Sequence, residues 1–432
     1  VGPSCRRILT ALRDDESGLG LVEVVVSAML LVLVSSGVYM GLDGASATSG
    51  VNKGRSLASE IAQQDQDRMR AMAVTELSNY RATTTTTVGP VTYTIASSAS
   101  WITDDTGTAS CTSGQAKAHY LRIASSVTWP SMHVKPVTVE SIVAPPAGSF
   151  GTNLGSLAVQ VRDRNGNGVP GVSVSLSGAQ SYTDATNAIG CVLWGYLPLG
   201  NYTVAVSKQG YVDPSGASQP SRAAGVVGGA TSTTAFDYDL GGQIRASYET
   251  LTQSGGAPIP ANGTSFTAVT SHLTVPLTPF GDGQPHASYT STAVYPFTDP
   301  YGVYAGSCAG NDPTLYGVPA QLALVQPGAT TAVTLREPPV DLLVTRGGRP
   351  VQGATVKLTG TASGCGALPD RTTGADGYVT ARALPYGTYS ACVQATVSGT
   401  TYKATGTFAD TSATGVPVGS ATYNLTTAGT CP

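Results

Sequence analysis

Hydrophobic and polar positions divide the chain into an apolar run, a helical stripe and a long β-patterned remainder. From Leu19 to Met40 the sequence is almost continuously apolar, about the length that crosses a bilayer as a helix. Between residues 46 and 80 the apolar positions thin to helical spacing, with Leu57, Ile61, Met69, Met72, Leu77 and Tyr80 separated by Gln, Asp and Arg. Asp65 interrupts that stripe. The pattern then changes period. Residues 91–105, 119–130 and 135–146 alternate or run in β-branched residues between turn-rich stretches, which predicts a small sheet closing near Pro145 and Pro146.

Beyond the Pro-Pro pair the helical pattern vanishes and two segments resemble each other. Residues 157–178 with 188–206, and 340–360 with 375–393, share an ordered set of signals. Gly190 or Gly377 precedes a Leu-Pro-x-Gly turn (Leu197–Gly200, Leu384–Gly387), and a Gly-x-Tyr follows, ending in Tyr202 or Tyr389. An internal repeat of this kind marks a repeated supersecondary unit. Alternation of Val172, Val174 and Leu176 predicts one buried strand face, and each tyrosine predicts a ring laid across a sandwich. Residues 236–338 are rich in Tyr and Pro with strand-like runs, so a further sandwich is expected there without a recognisable motif.

Composition agrees with short strands and tight turns. The 432 residues include 52 Gly and 27 Pro, and only 11% are charged against roughly a quarter in ordinary domains. Hydrophobic residues make up 41%, too many for a disordered chain. A formal net charge of −3, with no basic stripe, argues against a nucleic-acid partner.

One residue inside the apolar run carries chemistry. Glu23 sits where a carboxylate costs about 2.5–3.5 kcal/mol in hydrocarbon, so it needs a partner. Arg6, Arg7 and Arg13 precede the run, but the small residue, Gly18, lies before it rather than after it as in a secretory signal. The segment Ser-Gly-Leu-Gly-Leu-Val-Glu-Val-Val-Val, residues 17–26, resembles the type IV prepilin signal, with Leu19 in place of the usual Phe. That resemblance implies a 1–18 leader cut after Gly18 by a prepilin peptidase and a Leu19 terminus, N-methylated as in the family. Glu23 would then be the assembly residue, paired with the α-amino group of a neighbouring subunit. It also implies a pilin-like domain over 19–146, with a helix over 19–80 lying on an antiparallel sheet. The repeats resemble prealbumin-like or carboxypeptidase-regulatory-like modules. The expected fold is therefore mainly β with a long N-terminal helix: a pilin-like α/β head followed by tandem antiparallel β-sandwiches of Ig-like or transthyretin-like type at 150–235, 236–338 and 340–432.

Candidate chemistry elsewhere is sparse. Asp163, Asn165 and Asn167 match the first half of a calcium loop, but Val174 stands where the bidentate Glu belongs, so a hairpin turn is favoured. His119, His133, His272 and His286 share no metal spacing. No Gly-x-Ser-x-Gly elbow has a His partner and no phosphate loop occurs. Lys357 lies on a strand as a Lys–Asn crosslink would require, yet residues 340–432 contain no Glu to assist one. No enzyme activity and no cofactor are expected. Of seven cysteines Cys5 falls in the leader; Cys111, Cys191, Cys308, Cys365, Cys392 and Cys431 predict three disulfides in an exported chain. The expected pairing joins Cys365 to Cys392 and leaves the other four for two bridges.

The function expected from these readings is that of a minor pilin presenting its sandwiches at the surface or tip of a type IV pilus, for adhesion to a surface or host ligand. Its partners would be other pilin subunits, the assembly machinery, the peptidase and, before assembly, the inner membrane. The alternatives are a pseudopilin of a secretion or DNA-uptake system and a membrane-anchored stalk that never assembles.

Overall fold

The computed structural model describes residues 19–102, 111, 120–130, 135–145, 153–251, 257–273, 279–379, 383–410 and 421–431. It is mainly β with one long N-terminal helix, and it divides into two compact units, residues 1–100 with 120–145, and 101–119 with 146–432.

In the first unit α1 runs Leu19–Arg70, 52 residues or about 78 Å. It stops short of residue 80. Ala73 has extended dihedrals, and a separate helical turn, Val74–Leu77, follows. The sheet is ordered β1 (Arg81–Val88), β2 (Val91–Ile102), β3 (Tyr120–Thr128), β4 (Val137–Val143). β1 is absent from the periodicity reading, although its five consecutive threonines carry strand propensity. Gly89, at φ 59°, supplies the positive φ that a two-residue hairpin turn into β2 demands. Ala58, Ile61, Ala62 and Met69 share one face of α1 and are buried, most of them against Tyr93, Ile95 and Val127.

Among the described residues the second unit has three hydrophobic cores in sequence order. The first lies between the sheet of Ser221–Val226, Gly200–Ser207, Ser173–Ser177 and Tyr182–Ala185 and that of Thr231–Asp237, Leu154–Arg162 and Cys191–Pro198. The third repeats this plan with Leu342–Arg346, Thr355–Gly360, Gly387–Val397 and Thr400–Asp410. In each module the last strand lies parallel to the first: Thr231–Asp237 beside Leu154–Arg162, Ala421–Asn424 beside Leu342–Arg346. The middle segment closes the same way, with Thr330–Glu337 parallel to Gln243–Thr250, although it lacks the repeat motif.

The repeat motif is a set of hydrogen bonds. Tyr202 and Tyr389, 1% and 2% exposed, donate through Oη to the carbonyls of Pro198 (3.0 Å) and Pro385 (2.7 Å), each four residues back. The intervening Gly200 and Gly387 hold φ of 142° and 156°, which only glycine adopts without strain. A second shared device has no obvious sequence signature. Thr186 Oγ1 donates to Val169 O and accepts from Val172 N; Thr373 Oγ1 donates to Val351 O and accepts from Ala354 N. Each buried hydroxyl thereby satisfies two backbone groups where the chain turns into a strand.

Candidate assembly helix and module junctions

The two halves of α1 have opposite surroundings. From Val22 to Leu42 every apolar side chain described is exposed, and an 18-residue window reaches a mean hydropathy of 2.1. Leu19 begins the helix, and Glu23 lies one turn in, exposed among valines. Gly18 lies outside the described residues. Among the described residues α1 is thus the helix long and apolar enough to cross a membrane.

The other half is held on its sheet by polar side chains as well as apolar ones. Asp65, read from the sequence as a flaw in the stripe, is 7% exposed and faces the sheet. Its carboxylate accepts from Ser125 Oγ (2.6 Å), Ser97 Oγ (2.7 Å) and Arg68 Nη2 (2.6 Å). Next to it, Gln66 donates through Nε2 to Ile123 O, Ser125 Oγ and Val139 O, and accepts from Ser141 Oγ. Burial alone raises the Asp65 carboxyl, but the hydroxyl bonds and Arg68 outweigh it and hold the group below the usual carboxylate range. The apolar spacing could not reveal this, because the serines that satisfy Asp65 lie 32 and 60 residues away.

The sign of that effect gives a test. A depressed folded-state pKa contributes stability that is present above the ordinary value of 3.8 and lost as pH falls through the folded value. Asp65→Ala, which strands two buried hydroxyls, is expected to cost about 2 kcal/mol in the first unit. Amide exchange over α1 and β2–β3, measured at pH 7 and pH 3, should show wild type approaching the variant at the lower pH.

In the second unit, the loop matching half a calcium site is committed to other work. Asp163 Oδ1 accepts from the backbone N of Asn165 and Asn167, both at 2.8 Å, and Asn167 Nδ2 donates to its other oxygen. The carboxylate closes a turn between Arg162 and Gly168. Among the described residues no group of three acidic, His or Cys side chains could hold a metal. The residue of this loop that reaches beyond it carries no signature in the sequence. Arg164 reaches into the middle module, donating through Nη1 to Pro296 O (3.4 Å) and Val325 O (3.3 Å) and through Nη2 to Gln326 Oε1 (3.0 Å).

Three disulfides form, but not with the expected pairing: Cys111–Cys191, Cys308–Cys365 and Cys392–Cys431. The Cys365–Cys392 bridge is ruled out by register. Cys365 packs on Gly360, which faces Tyr389, while Cys392 faces Lys357, three positions along the same pair of strands. Three positions span about 10 Å and place the side chains on opposite faces, beyond the Cα separation a disulfide allows. Instead Cys365 meets Cys308 of the middle module. Asn311 Nδ2 donates to Tyr386 O at 2.8 Å beside that bridge, and the Tyr316 and Tyr386 rings stack at 6.1 Å.

The remaining candidates stay apart. Lys357 is exposed on its strand. His272 pairs with Asp299 at 2.8 Å and stacks on Phe297, and His286 pairs with Asp282 at 3.2 Å. His119 and His133 lie outside the described residues.

No family model and no curated protein matches this chain. Among solved structures it is similar to the TIE protein of Bacillus anthracis, at 11% identity and a TM-score of 0.22, over 80% of this chain and 74% of the other. It is also similar to GBS52, the minor pilin of Streptococcus agalactiae, at 13% identity and a TM-score of 0.22, over 43% of this chain and 95% of that one. The major pilin SpaD of Corynebacterium diphtheriae matches at 11% identity and a TM-score of 0.20, over 64% and 98%. At these TM-scores none of them establishes a common overall fold.

Proposed function

We propose that this protein is a minor subunit of a type IV pilus-like surface fibre, assembled through α1 and carrying its sandwich modules outward for adhesion. The observation that carries the reading is the division of α1. One continuous helix has an apolar first half that its own chain leaves uncovered and a second half fixed by Asp65 and Gln66 to its own sheet. An apolar surface of that length must be covered by lipid or by neighbouring helices. The lone carboxylate within it calls for a cationic partner. A terminus created by a prepilin peptidase cutting after Gly18 would supply one, because the α-amino group of Leu19 in an adjacent subunit carries the matching charge. The membrane then holds the helix before assembly, and other subunits cover it afterwards. Pins and bridges between the sandwiches suit a low-copy subunit that bears load at its outer end.

Mass spectrometry of the mature chain from sheared surface fibres is the direct test. The expected terminus is Leu19, with or without a methyl group; a terminus near residue 45 would mean an ordinary signal peptide and end the proposal. Glu23→Ala is expected to lower incorporation into fibres at least tenfold while leaving the membrane-bound pool intact. Unchanged incorporation would show that Glu23 is not the assembly residue, and absence of the wild-type chain from sheared fibres, with surface display unchanged by Glu23→Ala, would leave a membrane-anchored stalk instead.

A further inference from the structure

Among the described residues the three disulfides follow one another along the chain without overlap: Cys111–Cys191, Cys308–Cys365 and Cys392–Cys431. Each closes its own loop, so a chain pulled from its two ends carries tension across the bridge and not around the loop. Residues inside a loop bear none of it. The strands that close the modules fall in these loops. Leu154–Arg162 lies in the first, Thr330–Glu337 and Leu342–Arg346 in the second, and Ala421–Asn424 in the third. Every module closes by a parallel pairing of its first and last strands, and in every module at least one strand of that pair is bypassed.

The way a parallel pair fails gives this placement its meaning. Without the bridges, tension would enter a module at the N-terminal end of its first strand and leave at the C-terminal end of its last. In a parallel pair those points lie at opposite ends. The strands would be driven past each other, straining all the hydrogen bonds between them together, and resistance would grow with the length of the pair. The pairs span seven register positions in the first module, eight in the middle one and four in the third. The shortest pair is the one with both strands inside loops. We propose that the three bridges make this chain an extension-limited tether, a covalent path that carries tension past the closing strands. Only the stretches Cys191–Cys308 and Cys365–Cys392 then lengthen between Cys111 and Cys431, and the third module opens only over the second of them. The inference rests on the reading of an anchored surface subunit for its working tension, but the covalent path does not depend on how α1 assembles.

The experiment stretches single full-length molecules in detergent micelles, held in optical tweezers by peptide-tag handles at the two ends, before and after reductant is added. Loops of sequence separation 80, 57 and 39 should make the fully extended chain about 600 Å longer once reduced, at the reach of an extended chain per residue. Without reductant, Cys308→Ala/Cys365→Ala should add about 190 Å to the wild-type length and Cys392→Ala/Cys431→Ala about 130 Å. The wild-type comparison is made on one molecule and stays decisive if either variant fails to fold. Glu23→Ala protein should give the wild-type lengths, so loss of fibre incorporation and loss of the covalent path are read separately. Equal wild-type lengths with and without reductant, or a folded double variant no longer than wild type, would each overturn the assignment.

Discussion

Removing the Cys308–Cys365 bridge is expected to destabilise the third module by about 4 kcal/mol. The bridge closes a loop of sequence separation 57, and loop-closure entropy of that size accounts for the figure. Its effect is concentrated at a junction. Cys308 belongs to the middle module and Cys365 to an insertion of the third, so the covalent link supports the Asn311 to Tyr386 hydrogen bond and the Tyr316–Tyr386 stack beside it. Without the link, those contacts must form between modules joined only through the chain at Pro338 and Pro339. A Cys308→Ala/Cys365→Ala double variant, followed by calorimetry, should show the third module melting roughly 20 °C lower and separately from its neighbour. An unchanged single transition would mean that the noncovalent contacts suffice. Formation of the bridge needs oxidising conditions.

Glu337→Gln is expected to act in the other direction and only at higher pH. Glu337 is 1% exposed at the end of strand Thr330–Glu337, opposite Thr250 in the parallel register and on the same sheet face as Tyr248. Its Oε2, Thr250 Oγ1 and Tyr248 Oη are all buried without a protein hydrogen-bond partner. Burial pushes the carboxyl up to about 7, with Arg371 of the third module opposing the shift. Burial, followed by the Glu337 charge and Tyr289, raises the Tyr248 hydroxyl as well. For an acid raised in the folded state, stability is highest where the group is protonated in both states. It falls as pH rises from the ordinary 4.5 to about 7. That interval corresponds to about 3 kcal/mol. The gain of Glu337→Gln over wild type should therefore grow from near zero at pH 4.5 to about 3 kcal/mol at pH 8, as read by denaturant unfolding at a series of pH values. A gain independent of pH would show that Glu337 is not titrating in the folded protein.

Several of these features could be read from the sequence because they are local. The apolar run from Leu19 shows itself by length, and Glu23 by interrupting it. The sandwich repeats are visible because Leu-Pro-x-Gly-x-Tyr is a complete device within six residues: the glycine takes the φ that the turn needs, and the tyrosine returns its hydroxyl to the proline carbonyl. The presence of disulfides was to be expected from six cysteines beyond Leu19 in a chain read as exported, since an even number and an oxidising compartment suffice for that expectation.

What only the tertiary structure decided are the partnerships across distance. Periodicity tells which face a residue occupies but not what it meets there. Asp65 reads as a fault until Ser97 and Ser125 arrive from two strands to satisfy it. Arg164 is an unremarked residue within a turn until the carbonyls of Pro296 and Val325 lie over it. The middle module carries no motif, yet it closes with the same parallel pairing of first and last strands, because backbone hydrogen bonding and a buried face fix that arrangement without particular side chains. Cysteine pairing belongs to the same class. A strand register and a module junction place Cys365 beside Cys308 rather than Cys392, and neither is a property of the residues adjacent in sequence.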